Sequence, residues 1–460
     1  MNGQTLHLIN VSILFYFSIV NFCYLLIFIT SIPDILKRFK ELFFGEIFPV
    51  AKSTDMIPVT IIIPAYNEED NIINAVQSAL NSTYKNLKVM VSNDGSTDKT
   101  LQVLHKKYKL EPCDFTFPEY IKTAKIKQVY VSKTHPHLSV IDKEHAGRGD
   151  TLNTCINVMR TPLFMTLDAD SMLEPDTIPR LAYCMLSEPH TIAVGGGVYL
   201  LNDCEISQGR VTVPKLPNSY IGRLQACEYM RSFVFGRTGW NLLKGALCYS
   251  GTSTLLERDA VLEIGGFDTQ NPAQDMEVIV HLHEYMRRKN HPYNTIFTPA
   301  AFSWTTVPDN FKSYYRQRVQ WQLGITHSML KHIKMFFNPR YGIIGFFTYP
   351  FYLLVEAFAH IMEVLTYLII IVSLIFGFFD AKSVIVFFLL TAGFISFLTV
   401  ATMLINIMTF NKYRKISDIF KIFFYSVIEI FGFRQFSLVV RTIGTIKYFF
   451  VGFRKKLIRG

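Results

Sequence analysis

Val59-Thr60-Ile61-Ile62-Ile63-Pro64-Ala65-Tyr66-Asn67-Glu68-Glu69 is the stretch on which the fold turns. Five apolar or β-branched residues run without a break, then the chain becomes polar at a proline and opens a helical pattern over Glu68–Leu80. A continuous apolar run bounded by turn residues reads as a strand buried on both faces. The same grammar repeats downstream. Leu87–Val91 is a second such strand, ending in Ser92-Asn93-Asp94-Gly95-Ser96-Thr97-Asp98. Lys127–Val131 and Leu138–Ile141 follow, then a helix from Asp150 and the strand Leu163–Leu167, which runs into Asp168-Ala169-Asp170. Strands alternating with helices predict βαβ units, a parallel sheet and ligands at the carboxyl ends of the strands.

Around this segment the composition changes. Of the 460 residues, 50% are hydrophobic, 14% aromatic and only 18% charged, with a mean hydropathy of +0.24. Soluble domains carry about 25% charge, so an all-soluble chain is excluded, and the 40 Phe and 23 Tyr exclude disorder. Residues Leu6–Ile32 are almost uncharged and long enough to cross ~30 Å of hydrocarbon. Ala359–Phe379 and Val384–Phe410 are two further candidate spans, turning at Asp380–Ser383. Asp34–Phe48 is amphipathic and suits the interface, whereas Gly342–Leu354 and Phe423–Phe450 are either interfacial helices or further crossings.

The net charge of +10 fits an anionic surface of either kind, but the cations cluster beside apolar segments, at Lys37, Arg38 and Lys40, at Lys412, Arg414 and Lys415, and at Arg454, Lys455, Lys456 and Arg459. That is how cytoplasmic loops of membrane proteins are marked, and no nucleic-acid-binding signature accompanies it. The division expected is a membrane helix with an interfacial segment (1–53), a cytoplasmic α/β domain (54–333) and a C-terminal membrane region (334–460), in a multi-pass protein of the cell membrane. Seven cysteines stand singly, without a CxxC pair, as expected of buried or neutral thiols in a reducing compartment.

Two polar turns on adjacent strands, PAYNEE and SNDGSTD, either cap the helices they open or face one crevice that takes a polar or anionic ligand. Two carboxylates at a strand end, Asp168 and Asp170, suit a hard divalent cation such as Mg²⁺ or Mn²⁺. Together these elements resemble the family 2 glycosyltransferases of GT-A fold. Gly147-Arg148-Gly149-Asp150-Thr151-Leu152-Asn153 is similar to the family's GKAxALN segment, with Arg148 at the lysine position. Gln225–Tyr229 and Ser250-Gly251 through Asp268 are similar to its acceptor-side elements. Ala273-Gln274-Asp275 stands where processive members have TED, and Gln317-Arg318-Val319-Gln320-Trp321 resembles their QxxRW motif.

The resemblance implies a membrane-bound, metal-dependent transferase of the branch that includes poly-N-acetylglucosamine, hyaluronan, chitin and cellulose synthases. It would take a UDP-sugar from the cytoplasm and extend a polysaccharide that is exported through the bilayer. Ala65, Tyr66, Glu68 and Asp94 would hold the nucleoside, with Arg148 close to it or to the phosphates. Asp168 would support the nucleotide-sugar and Asp170 the metal; Asp275 would be the general base. Gln317, Arg318 and Trp321 would meet the acceptor.

Two residues depart from the pattern. Gln274 replaces an acidic neighbour of Asp275, which lowers that carboxyl's pKa relative to an acidic pair. Gln320 replaces the arginine that pairs with the pyrophosphate. The rivals are a transferase that adds sugar to a lipid acceptor, and a catalytically impaired subunit that binds nucleotide or polymer within a secretion complex whose partners are unnamed. His281 and His283, at i,i+2, do not share a helix face and are not expected to bind metal. Glu356, His360 and Glu363 share one face beside a span and either line a pathway or meet the interface.

Overall fold

The computed structural model describes residues 3–43, 57–114, 116–243, 245–376, 381–410, 412–413 and 415–459. Part of the amphipathic stretch (44–48), the end of one expected span with its turn (377–380) and Arg414 of the basic loop lie outside the described residues. Contacts divide the chain into two compact units: Met1–Asp34 with Ser219–Leu243 and Pro308–Gly460, and Ile35–Asn218 with Lys244–Val307. The segment 54–333, expected to be one contiguous domain, is therefore distributed over both. The reason lies in two amphipathic helices. Tyr220–Val234 contributes Ile221 and Leu224, and Phe311–Lys331 contributes Tyr314, to a small core shared with Phe433 of the first unit.

The second unit is built on strands β1 (Val59–Ala65), β2 (Leu87–Asn93), β3 (Leu110–Cys113), β4 (Ile126–Ser132), β5 (Leu138–Lys143), β6 (Leu163–Thr166), β7 (Ser171–Leu173), β8 (Thr191–Leu200), β9 (Glu205–Ser207), β10 (Arg210–Val213), β11 (Thr254–Glu257) and β12 (Asn294–Thr305). Ten of them form one sheet in the order β3-β4-β5-β2-β1-β6-β11-β8-β12-β7. The expected parallel core is present as β5-β2-β1-β6, with Ala65 level with Asn93 and Ile62 level with Thr166. The sheet as a whole is mixed, however. The connection 133–137 is too short for a crossover, so β4 returns antiparallel to β5, and β11 runs antiparallel to both β6 and β8.

Residues from β1, β2, β5 and β6 and from the helices Ile72–Leu80, Thr100–Tyr108 and Thr177–Ser187 bury one continuous core, in which Ile61, Ile63, Val91 and Met165 are inaccessible. Gly195-Gly196-Gly197 lie within β8. A Cβ at Gly195 would lie 2.7 Å from the Tyr249 ring, and one at Gly196 2.2 Å from Ser253 Oγ. Glycine here lets neighbouring groups approach the strand.

In the first unit, Leu8–Lys37 and Ala381–Thr409 are long and apolar enough to cross a membrane. The pair Ile344–Ala357 and Ala359–Ile375, bent by 44°, makes a third candidate if taken as one span. Several polar residues near these helices are paired. Glu363 accepts from Arg434 Nε at 2.8 Å and Nη2 at 2.6 Å, Glu356 from the Tyr24 hydroxyl at 2.8 Å, and His360 lies 3.1 Å from Thr445 Oγ1. Such pairing meets the requirement that buried charge be compensated.

Candidate functional site

The parallel register brings the PAYNEE and SNDGSTD turns side by side, and they are laced together. The Asn67 side-chain carbonyl accepts from the Thr97 N–H at 2.8 Å, and the Asn67 N–H donates to Ser96 Oγ at 3.0 Å. The Glu68 and Glu69 N–H groups donate to Thr100 Oγ1 (2.8 Å) and Asp98 Oδ2 (3.1 Å), while Glu69 Oε2 accepts from the Lys99 N–H at 2.9 Å. Asn67 takes φ 57°, a left-handed conformation that asparagine tolerates better than most residues. Simple capping describes little of this: neither following helix receives a hydrogen bond from its N-cap side chain, although Asp98 accepts from the Thr100 N–H. The turns are one structure.

Asp94 lies at the centre of the next layer and is almost completely buried. Its Oδ1 accepts from Lys143 Nζ (2.7 Å) and the Ala146 N–H (3.0 Å); its Oδ2 accepts from the Gly147 N–H (2.8 Å) and lies 2.9 Å from His145 Nδ1. Both oxygens thus have two partners, which fills the usual capacity of a carboxylate. Burial works against its ionisation, but Lys143 and the two backbone donors hold its pKa below the ordinary value. Lys143 has no exposed surface and also meets Asp150 at 2.9 Å. Asp94 is placed to hold the 144–147 loop, and a nucleoside would have to displace one of these partners to reach it. Tyr66 is half-exposed in front of that loop, whereas Ala65 is buried and its carbonyl accepts from the Asp94 N–H.

The loop delivers Arg148 to the first position of an eleven-residue helix, Arg148–Val158. Its guanidinium donates to Asp168 Oδ1 from Nε (3.1 Å) and Nη2 (2.8 Å), and makes longer contacts of 3.4 Å to Gln274 Oε1 and the Gly251 carbonyl. Asp168 and Asp275 keep it firmly charged despite burial. Asp275, in the first turn of the helix Gln274–Lys289, accepts from the Gly251 N–H at 3.0 Å and the Met276 N–H at 3.0 Å. Burial and the nearby Asp168 raise its pKa in spite of Arg148 and those two donors. The charge removed at position 274 is therefore not what sets this carboxyl. Gly251 fits between the pair: a Cβ there would stand 2.8 Å from Arg148 Nη2 and 3.3 Å from Asp275 Oδ2.

Asp170 completes the cluster. Burial, then Asp168, then Glu68 push its carboxyl up to about 7, although Ser171 Oγ donates to it at 3.1 Å. Glu68 is itself raised, first by burial and then by Asp168 and other acidic neighbours. Glu68 and Asp170 thus each feel the charge of Asp168 beside them.

Gln317, Arg318 and Trp321 lie on the helix Phe311–Lys331 of the first unit. Arg318 is buried, pairs with Glu228 at 2.7 Å, and has Tyr314 and Trp321 rings 4.8 and 4.3 Å from its guanidinium carbon. It is committed within that helix pair, whereas Gln320 is exposed and Trp321 partly so. His283 is buried between the Tyr293 hydroxyl (2.9 Å) and the Ala246 carbonyl (3.3 Å), a structural histidine. The residues missed from sequence are Lys143 and His145. Their signal was the proximity of Lys143-Glu144-His145 to Arg148 on one short connection.

A mixed α/β sheet with Glu68 and Asp168 just beyond the ends of its parallel strands and Arg148 beside them is the arrangement of a GT-A fold. The chain belongs to the family 2 glycosyltransferases: the family described as glycosyl transferase family 2 matches residues 60–210, and glycosyl transferase family group 2 matches residues 163–410. Among its relatives, a poly-beta-1,6-N-acetyl-D-glucosamine synthase of Staphylococcus aureus is 25% identical over 266 residues, 58% of this chain and 54% of that protein. The Staphylococcus epidermidis protein of the same name is 23% identical over the same shares. The chain spans about half the length of the curated relatives it matches. Among solved structures, a mannosyltransferase from Pyrobaculum calidifontis in complex with GDP-Man and Mn²⁺ aligns with a TM-score of 0.49 at 14% identity, covering 88% of this chain and 98% of that one.

Proposed function

We propose that the protein is a membrane-integrated, inverting glycosyltransferase that transfers a sugar from a UDP-sugar to a growing polysaccharide and passes the product through its own membrane helices. The observation that carries the reading is the convergence of Asp275, Arg148 and Asp168 around Gly251, beside Asp170 and Glu68. Asp275 would accept the proton of the acceptor hydroxyl as that oxygen attacks the anomeric carbon. The carbon–oxygen bond to the diphosphate breaks, and its electron pair leaves with UDP. A base with a raised pKa suits this task, because it binds the proton more strongly in transit. Arg148, fixed on Asp168, would lie against the donor. Asp170 and Asp168 would hold Mg²⁺ or Mn²⁺, which when bound supplies positive charge against the departing diphosphate.

UDP release from a panel of UDP-sugars by the full chain with Mn²⁺ tests the reading. One donor should be turned over, and Asp275→Asn should lose at least ~100-fold in rate while still binding UDP. Undiminished turnover in that variant removes Asp275 from its role. Gln320, exposed where relatives of this motif have arginine, favours keeping the impaired-subunit reading as the second one; UDP binding without turnover of any donor would select it. A product carrying a single added sugar on lipid would instead select the lipid-acceptor transferase. The proposed setting is the cell membrane, with the sheet-bearing unit on the cytoplasmic side.

A further inference from the structure

Asn153 closes the same segment that supplies Arg148, and nothing above gives it work to do. It is buried on the helix Arg148–Val158, about 7.5 Å of helix rise beyond the arginine. Its amide is committed at both ends to the backbone of one distant residue. Nδ2 donates to the Phe267 carbonyl at 2.9 Å, and Oδ1 accepts from the Phe267 N–H at 2.8 Å. Only an amide in this orientation supplies both bonds. The chain around Phe267 is fitted to the same helix. Gly266 takes φ 85°, and a Cβ there would stand 2.5 Å from Asn153 Oδ1 and 2.5 Å from Ile121 Cδ1. Next to Arg148, a Cβ on Gly149 would stand 3.0 Å from Thr269 Cα and 3.2 Å from the Asp268 carbonyl.

From Phe267 the loop runs to Asp275 with little slack. Asp268 Oδ1 accepts from the Gln270 N–H (2.8 Å) and Asn271 Oδ1 from the Ala273 N–H (2.9 Å). The Ala273 carbonyl accepts from the Glu277 N–H (3.0 Å), already within the helix that carries Asp275. One helix therefore holds Arg148 at its start and, through Asn153, the approach to Asp275. Asn157, one turn further on and equally buried, makes the same kind of clamp on another loop. Its Oδ1 accepts from the Tyr120 and Ile121 N–H groups at 3.2 and 3.1 Å, and its Nδ2 donates to the Ile121 carbonyl at 2.7 Å. That loop carries none of the clustered carboxylates.

We infer that Asn153 is a positioning residue for the proposed base: it fastens the loop 267–273 to the helix of Arg148 and so sets the spacing between Asp275 and the arginine. The inference rests on the transferase reading above and deepens it.

Asn153→Leu and Asn157→Leu make the same change one turn apart. Each leaves buried backbone groups without partners, so both should lower stability. They should part in function. In the full chain with Mn²⁺, N153L should lose ~10-fold or more in kcat for UDP release, the scale on which small displacements of a catalytic group act, while UDP affinity by calorimetry stays within ~3-fold of the parent. N157L should stay within ~3-fold in both. Asn153→Asp, which keeps the acceptor for the Phe267 N–H, should fall between N153L and the parent, and serves as the milder arm if N153L does not fold. Hydrogen exchange reads the clamp without turnover: residues 267–275 should exchange faster in the Asn153 variants, and residues 120–124 in N157L. Equal kcat losses in N153L and N157L overturn the inference, as does a kcat loss matched by a loss of UDP affinity, since either means that the helix is merely destabilised. Unchanged exchange over 267–275 in the Asn153 variants overturns it too. If Asp275→Asn turns over at the parent rate, or the parent turns over no donor, the base reading fails first, and this one with it.

Discussion

The crowding of Glu68, Asp168 and Asp170 makes the stability of the sheet-bearing unit depend on pH. Burial and the two acidic neighbours raise the Asp170 carboxyl from 3.8 to about 7. Between those values the folded state keeps a proton that the unfolded chain has released. Stability from this group is therefore fully present below the unfolded value and is lost as pH rises through the folded one. At ~1.4 kcal/mol per pH unit the gap is worth at most ~4 kcal/mol. Asp168 and Glu68 share the repulsion, so removing one charge recovers part of it, about 2 kcal/mol. For the metal-free protein in EDTA at pH 8, Asp170→Asn should raise Tm by about 4–8 °C, the shift expected when that energy acts on a unit of some 250 residues. At pH 5 less than half of the gain should remain. Mn²⁺ should reverse the order, since a cation at a hundred times its Kd stabilises the parent by ~2.7 kcal/mol and the variant has lost a ligand. Melting followed by tryptophan fluorescence reads both arms. A variant less stable than the parent in EDTA at pH 8, or stabilised equally by Mn²⁺, would refute the electrostatic account of the cluster.

Other outcomes follow from the same geometry. Because Asp275 must be ionised to act and its pKa is raised, the acid limb of the pH–rate profile for UDP release should lie above pH 3.8; a rate that stays flat down to that pH would contradict its role as base. Gly251→Ala places a methyl against Arg148 Nη2 and Asp275 Oδ2, so kcat should fall ~10-fold or more, in line with the sensitivity of catalytic geometry to small displacements, with UDP affinity little changed; separate kcat and binding measurements check this. Lys143→Met leaves Asp94 and Asp150 facing each other without their shared cation and should cost ~3–5 kcal/mol in denaturant unfolding, the range for breaking a buried pair from one side.

What could be read from the chain and what could not separate along physical lines. β1, β2 and β6 announce themselves because strands buried on both faces are continuous apolar runs, and each ends at a polar motif. The antiparallel half was hidden. β8 carries three consecutive glycines, and β12 is interrupted by Pro299-Ala300-Ala301, so neither shows an apolar run that a strand would advertise. Assignment of Tyr220–Val234 and Phe311–Lys331 to the first unit was equally unreadable, since an amphipathic face tells that a helix packs but not against what. At the site, Arg148, Asp168, Asp170 and Asp275 were all singled out by motif, and the structure gathers them through contacts that span up to 126 residues of sequence. The burial of Arg318 against Glu228 could not be foreseen, because it depends on a helix ninety residues upstream.

Asp94 shows why a motif residue and a contact residue need not coincide. Its carboxylate is saturated by Lys143, His145, Ala146 and Gly147, and the loop so fixed ends at Arg148. Arg148 in turn holds Asp168 and touches the Gly251 carbonyl, and Gly251 donates its N–H to Asp275. One hydrogen-bonded series therefore runs from Asp94 through the loop and Arg148 to the proposed base. A neutral Asp94→Asn would keep a similar shape but replace two acceptor positions with donors facing N–H groups and Lys143. Damage should then reach beyond UDP affinity to kcat, through a displaced Arg148, so Asp94→Asn should lower kcat as well as raise KM. An effect of Asp94→Asn confined to KM would break the series at the loop.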